Sequence, residues 1–383
     1  MKLALPLCLC LGSLLYVACT PTGGVVTQPS SGSGTEQQLA RPRNVIFLIG
    51  DGMGLSQISA GMFANDNYVA FERMPVVGLH KPASYDNLVT DSAAGATAFA
   101  SGVKTYNGAI GVRPDTTSCV TLFEQLGPRK MATGLVATST IVHATPAAFF
   151  GHAASRREYE LLAAQLAESE VDFFIGGGAK FFNARESDER DLIAEMRAGG
   201  RYVSTYFEGA LHETPPVVAQ RYGFLTALED PLPVLGGRDY LKAATEMAIN
   251  YLTEVSATPA GYFLVVEGSQ IDWGGHANDT EYLVSEMREF SEVVDAVLDY
   301  AESDGETLVV VTADHETGGF AINYGSRPDS LVGAFTSDYH TATMVPVFAY
   351  GPGADAFAGI YENTAIYDKF RAALRLGAPA IER

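Results

Sequence analysis

"NVIFLIGDGMG" (44–54) joins seven residues of nearly unbroken apolarity to an abrupt polar turn that opens with Asp51. A strand with one wet face alternates apolar with polar residues, whereas an unbroken apolar run marks a strand buried on both faces, as in a parallel sheet covered by helices. The same signature recurs in "ATGLVAT" (132–138), "VDFFIGG" (171–177), "GYFLVVEG" (261–268), "TLVVVTAD" (307–314) and "VPVFAYG" (345–351). Helical patterns lie between these runs. In "EYLVSEMREFSEVVDAVLDYAES" (281–303), Leu283, Met287, Phe290, Val294 and Val297 recur at spacings of four and three, which puts one apolar stripe on an otherwise acidic helix. Strands alternating with helices predict an α/β fold, a three-layer α/β/α sandwich around a central, mostly parallel sheet.

The chain has 383 residues, of which 47% are hydrophobic, enough for a large core. A formal net charge of −20 disfavours an electrostatic nucleic-acid binder, which would need clusters of Lys and Arg to neutralise phosphates. That acidic total does not exclude a small anionic substrate, because a metal ion or a local arginine can invert the field inside a site. No internal repeat is evident. The stretch 178–236 is rich in charge, Pro and Gly and lacks a strong strand pattern, so it reads as a locally mobile excursion on the edge of the sheet.

The amino terminus reads as a targeting segment. Lys2 precedes the apolar run "LALPLCLCLGSLLYVA" (3–18), too short for a membrane span and matching a secretory signal. It ends in "YVAC" (16–19), which resembles the lipobox of bacterial lipoproteins, with cleavage before Cys19 and a lipid on its thiol. A flexible tether follows in "TPTGGVVTQPSSGSGTEQQ" (20–38). The domain reading is therefore a signal peptide at 1–18, a lipidated tether at 19–40 and a folded domain at 41–383, in an exported, periplasmic or outer-membrane-anchored protein. An ordinary signal peptide with a chance cysteine is the other reading. Of four cysteines, Cys8 and Cys10 leave with the signal and Cys19 carries the lipid, so Cys119 remains as a lone, buried, inert thiol without a disulfide partner.

In open α/β sheets a site forms beyond the carboxyl ends of the strands. After 44–50 comes Asp51. After Glu267 comes "GSQIDWGGHAND" (268–279), with Asp272 and His276 four apart; after 307–312 come Asp314 and His315; before the last strand stands His340. Asp272 and His276 alone could be a surface pair. Jointly, several carboxylates delivered into one crevice by buried strands repel one another unless cations fill it. Imidazole with carboxylate and no cysteine suits zinc, and all-oxygen ligation suits magnesium. "LVTDSAAGATAFASG" (88–102) adds Ser92 at a helix start, followed almost entirely by small residues. Either this is a tightly packed helix with Ser92 as its N-cap, or it is a serine beside cations that lower its hydroxyl pKa and make it a nucleophile.

"DGMG", "VTDSAAGATAFASG", "HATPAAFFGHAASR", "VEGSQIDWGGHAND", "TADHETGGF" and "YHTATMVPVFAYGPGA" resemble, in order and from about 44 to 353, the signature blocks of bacterial alkaline phosphatases. The resemblance implies a phosphate monoester hydrolase with two zinc ions and one magnesium ion, acting through a phosphoserine at Ser92. It implies one zinc held by Asp51, Asp314 and His315, and another by Asp272, His276 and His340. It places magnesium on Asp51, Thr145 and Glu267, partly through water, and makes Arg156 the group that grips two phosphate oxygens, with Arg157 as its rival. It also implies small phosphomonoester substrates and a homodimer.

Two positions vary within that family. His143 stands where some members have Asp; as a softer ligand, or a group behind the ligands, it would let zinc compete for the third site. Trp273, the only tryptophan, stands where some members have a lysine near the phosphate. Without that cation, phosphate binds more weakly and leaves faster; the other reading of Trp273 is a packing aromatic. His152 reads as a structural histidine of the core, and His80 and His212 carry no assigned role. A phosphodiesterase of the same superfamily and a non-catalytic metal- or phosphate-binding lipoprotein are the competing functions. Thr145, Glu267 and Arg156 favour the monoesterase, and the presence of nucleophile and ligands disfavours the binding protein.

Overall fold

Period-two geometry explains why the strands are apolar throughout. In strand β1 (Asn44–Gly50), Val45, Phe47 and Ile49 enter one core while Ile46 and Leu48 enter a second core on the opposite face. A computed structural model describes residues 41–205, 220–256, 260–328 and 330–377. Its further strands are β2 (Val76–Lys81), β3 (Ala132–Thr140), β4 (Phe173–Gly177), β5 (Tyr202–Ser204), β6 (Tyr222–Leu225), β7 (Tyr262–Gly268), β8 (Thr307–Thr312), β9 (Glu316–Thr317), β10 (Ala321–Ile322), β11 (Gly333–Ala334), β12 (His340–Thr341), β13 (Val345–Tyr350) and β14 (Gly359–Glu362). Ten of them form one sheet in the order β14-β2-β13-β8-β1-β7-β3-β4-β6-β5. Only β13 runs against its neighbours, β2 and β8. The remaining pairings are parallel, so the sheet is mostly parallel as expected.

One face is covered by helices that include Ser92–Ser101, Tyr159–Glu168 and Thr364–Ala373, and the other by Leu55–Phe63, Leu241–Val255 and Thr280–Asp304. The long helix confirms its sequence pattern: the five stripe residues Leu283, Met287, Phe290, Val294 and Val297 are fully buried. Asp279 caps its start by accepting from the backbone of Glu281 and Tyr282, and Gly305 ends it at φ 70°, a left-handed conformation that suits glycine. Truncating Phe290 to Ala would cost about 3–5 kcal/mol, because the sheet behind it cannot collapse into the hole.

Two expectations need correction. The stretch 178–236, read as an edge excursion without a strong strand, does lie at the edge of the sheet but supplies two short strands there, β6 and, beyond it, β5. "YGFL" and "YVS" are too short for a periodic signal, and Tyr202, Tyr222 and Phe224 identify them only once they are seen packed together. His152 is not in the core: it is partly exposed and bridges Gly111 O at 2.7 Å and Glu124 Oε1 at 3.0 Å. The expected signal peptide, Cys19, the tether and His212 lie outside the described residues, as does the middle of the expected mobile stretch. Cys119 is buried and unpaired. No helix among the described residues is long and apolar enough to cross a membrane.

Candidate active site

The carboxyl ends of β1, β7, β3 and β8 deliver Asp51, Glu267, His143 and the pair Asp314-His315 to one place. Asp51 follows β1 directly, its amide donating to Gly268 O at 3.1 Å, and Glu267 is the penultimate residue of β7. Asp314 is aimed by two backbone donors: Gly52 N at 3.3 Å and His315 N at 3.0 Å both hold its Oδ1, which leaves Oδ2 free to face the crevice. His340, distant in sequence, arrives because β12 pairs antiparallel with β9, setting His340 opposite Thr317.

These side chains form three groups able to hold a cation: Asp51, Asp314 and His315; Asp272, His276 and His340; and Asp51, His143 and Glu267, with Asp51 common to two of them. In the first, His315 Nε2 stands 3.2 Å from Asp314 Oδ2 and 3.5 Å from Asp51 Oδ1. In the second, Asp272 reaches His276 Nε2 at 3.3 Å and His340 Nε2 at 3.5 Å. Thr145, also buried, is held by the short helix Ala144–Ala147 that follows β3.

The tautomers follow from the other ring nitrogens. His276 Nδ1 donates to Asp338 O at 2.7 Å and His340 Nδ1 to Thr90 O at 2.8 Å. The Thr317 hydroxyl gives its proton to Asp272, so at 3.2 Å it accepts from His315 Nδ1. With Nδ1 protonated, all three Nε2 atoms point lone pairs into the crevice, as in histidines that ligate metals. His276 and His340 then face each other, Nε2 to Nε2, at 3.1 Å. Two lone pairs so close repel unless a proton or a metal ion lies between them.

The carboxylates carry the same demand. Both oxygens of Asp51, Oδ2 of Asp314, Oε1 of Glu267 and Oγ1 of Thr145 are buried without a hydrogen-bond partner. Such orphans are expensive unless a cation satisfies them. Burial, reinforced by Asp314, pushes Asp51 well above the usual carboxylate range, and burial lifts Glu267 to about 7. Against its burial, Asp272 is held low by His276 and the neighbouring imidazoles, while the bond to Asp272 raises His276 to about 9. Burial and then His315 lower His340 to about 4. The donor set of buried carboxylates and imidazoles without thiolate fits divalent cations of the zinc and magnesium kind.

Ser92 is the first residue of its helix, and its Oγ lies 3.4 Å from His315 Nε2. The N-cap is Asp91, not Ser92: Asp91 Oδ1 accepts from Ala94 N at 3.0 Å, which removes the reading of Ser92 as a mere cap. The small residues after it have a steric reason. A Cβ on Gly95 would lie 3.0 Å from Asp314 Cβ, and one on Gly52, where φ is +76°, would lie 2.7 Å from Asp272 Cα. Arg156 donates to Asp91 Oδ2 and to His143 Nε2, each at 3.1 Å, and so points at Ser92's neighbourhood, whereas Arg157 is exposed. Trp273 is partly exposed and packs edge-on to His143, 6.2 Å between centroids.

The positioning residues Asp91 and Thr317 were not singled out from the sequence. Each adjoins a motif residue, Ser92 or the "DHETGG" turn, and adjacency was the only signal available. His80 is buried beside the site, its Nε2 donating to Ala313 O at 2.8 Å just before Asp314.

The sequence matches the alkaline phosphatase family over residues 42–334. It is similar to alkaline phosphatase 4 of Bacillus subtilis, with 32% identity covering 89% of this chain and 91% of that one. It also resembles the solved structure of the alkaline phosphatase from the Antarctic bacterium TAB5, with 42% identity, a TM-score of 0.81, and 89% of this chain and 100% of that chain covered. A variant of the TAB5 enzyme in which one histidine is replaced by aspartate, solved with Mg bound in its M3 site, matches at 40% identity with the same TM-score of 0.81 and the same coverage, 89% and 100%.

Proposed function

The chain belongs to the alkaline phosphatase family of metal-dependent phosphate monoester hydrolases, and from that premise we propose that it cleaves phosphomonoesters through a phosphoserine at Ser92. One observation carries this reading: the Ser92 hydroxyl opens a helix 3.4 Å from a buried imidazole, His315, of the group it shares with Asp51 and Asp314. At that position the helix's first unpaired N–H groups and its positive end favour an incoming phosphate.

Asp51, Asp314 and His315 would hold one zinc ion, Asp272, His276 and His340 a second, and Asp51, Glu267 and Thr145 a magnesium ion. When bound, these ions supply the positive charge that lowers the serine hydroxyl's pKa and stabilises the leaving oxygen. Ser92 Oγ attacks phosphorus in line as the ester oxygen leaves, forming the phosphoserine; water then cleaves the new P–O bond and returns Ser92. Arg156 suits the phosphate because a planar guanidinium offers two parallel donors to two oxygens, and Asp91 holds it oriented before substrate arrives. His143 accepts from Arg156 through Nε2, which leaves the proton on Nδ1. In that tautomer neither ring nitrogen has a lone pair left for a metal, so His143 would stand behind the residues that hold the third ion rather than among them. Trp273 forms a wall of the phosphate site without adding charge.

The export reading extends to this chain as a signal peptide at 1–18, a lipid on Cys19, a tether at 19–40 and a periplasmic or outer-membrane location. The homodimer likewise extends from the family and is checked by sedimentation.

The test is hydrolysis of p-nitrophenyl phosphate, with its bis-ester as control, by the protein loaded with Zn2+ and Mg2+, after chelation, and as Ser92→Ala. Monoesterase activity that chelation removes and that falls at least about a thousandfold in the variant supports the reading. Dominant diester cleavage moves the assignment to a phosphodiesterase, and activity that survives Ser92→Ala removes the phosphoserine.

A further inference from the structure

Three rings stack outward from the floor of the site. His315, fully buried, lies 3.5 Å from His340 between centroids at an interplanar angle of 16°, and His340 in turn lies 4.4 Å from Tyr339 at 9°. Tyr339 is also 5.9 Å from His276, the other imidazole of the second group. His340 covers one face of the Tyr339 ring, yet the residue remains 48% exposed. Its backbone is held on both sides: Tyr339 N donates to Ser337 Oγ and Tyr339 O accepts from Gly318 N, both at 2.9 Å. Its contacts with His340 and His276 set the ring against two imidazoles of the second group.

What separates Tyr339 from other exposed tyrosines such as Tyr85 and Tyr324 is its place, stacked on His340 and next to His276 at the second group. It is what a planar leaving group needs: a ring to lie against while the phosphate is held at Ser92. We propose that Tyr339 is a specificity-determining residue that stacks on the leaving group, so that the enzyme prefers monoesters of aromatic alcohols and nucleosides over those of small aliphatic alcohols. The proposal rests on the phosphomonoesterase reading and on the second group lying at the leaving-oxygen side. Offset stacking and edge-to-face contact both stabilise such a pair, and neither requires the phenol hydroxyl.

Binding and turnover separate the two readings. Calorimetry would measure phenylphosphonate and ethylphosphonate, which mimic the two ester classes but cannot be hydrolysed, on the metal-loaded wild type, Tyr339→Ala and Tyr339→Phe. Wild type should bind the phenyl compound more tightly, Tyr339→Ala should lose about fivefold for phenyl with less than about twofold for ethyl, and Tyr339→Phe should keep the wild-type ratio. In turnover, KM for phenyl phosphate should rise by the same factor in Tyr339→Ala with kcat nearly constant. A wild type without preference, or equal weakening of both compounds in Tyr339→Ala, overturns the proposal and leaves Tyr339 as a support for His340. Loss of hydrolysis with retained phenyl selectivity in binding would count against the hydrolase reading alone.

Discussion

Asp91 divides its carboxylate between two tasks: Oδ1 caps the helix of Ser92 through Ala94 N at 3.0 Å, and Oδ2 holds Arg156 Nη1 at 3.1 Å. One side chain thus ties the helix of Ser92, the proposed nucleophile, to Arg156, the proposed grip on phosphate. The two tasks come apart on substitution. Asp91→Asn keeps an oxygen for the cap but weakens the ion pair, whereas Asp91→Ala loses both. The alanine variant should unfold about 1 kcal/mol more easily while the asparagine variant stays near wild type, and both should raise KM for p-nitrophenyl phosphate by about threefold. Thermal unfolding and steady-state kinetics check the pair; an unchanged KM in both would show that Arg156 needs no partner to hold its pose.

Metal removal should carry a pH signature. In the metal-free protein, burial raises Glu267 to about 7 and Asp51 well above the carboxylate range. A folded-state pKa above the unfolded value gives stability that is fully present below the unfolded pKa and is lost as pH rises through the folded one. The metal-free domain should therefore weaken between about pH 4.5 and 7, by on the order of 3 kcal/mol from Glu267 alone. The metal-loaded form, which needs these groups ionised, should not. Denaturant unfolding with and without chelator at pH 5 and pH 8 reads the gap; a gap of the same size at both values argues against Asp51 and Glu267 as ligands.

How far the sequence could be read depended on what each element must bury. The strands 44–50, 132–138, 261–268, 307–314 and 345–351 were legible because both faces are covered, and the helix Thr280–Asp304 because one stripe is. β2 alternates in burial, β14 is largely exposed, and β5 and β6 are too short for a period, so none announced itself. The reversed direction of β13 leaves no mark on composition, since a fully covered strand is apolar whichever way it runs. At the site, the residues following legible strands, Asp51, Glu267, Asp314 and His315, could be picked as candidates and come together in the structure; those that hold another side chain could not, because Asp91 and Thr317 have no spacing rule of their own.

His143 should decide which ion the third group prefers. Its Nε2 accepts from Arg156 at 3.1 Å, and burial followed by the Arg156 charge lowers its pKa to about 3, so it is neutral. Aspartate there would add a hard, anionic oxygen beside Glu267 and Asp51 and give Arg156 a charged acceptor. His143→Asp should bind Mg2+ about tenfold more tightly and need less of it for full activity, with zinc competing less. Titration of the zinc-loaded protein with Mg2+ measures this; an unchanged or weaker Mg2+ response would mean that His143 does not face the ion.

Gly95 tests the steric account of the small-residue helix. Gly95→Ala would place a methyl 3.0 Å from Asp314 Cβ. Neither side can yield: both hydrogen bonds to Asp314 Oδ1 come from backbone, and all ten residues of the Ser92–Ser101 helix are buried. The substitution should cost about 1–3 kcal/mol and, by moving Asp314 a few tenths of an ångström, lower kcat by about tenfold with reduced zinc content. Gly199→Ala is the matched control, since a Cβ there makes only ordinary contacts, 3.4 Å from Met196 O and 3.5 Å from Glu195 O, and its φ of −75° suits any residue. Unfolding, zinc stoichiometry and kcat should leave the control near wild type. Should Gly95→Ala match it in all three, the small side chains after Ser92 would need another cause than the approach of Asp314.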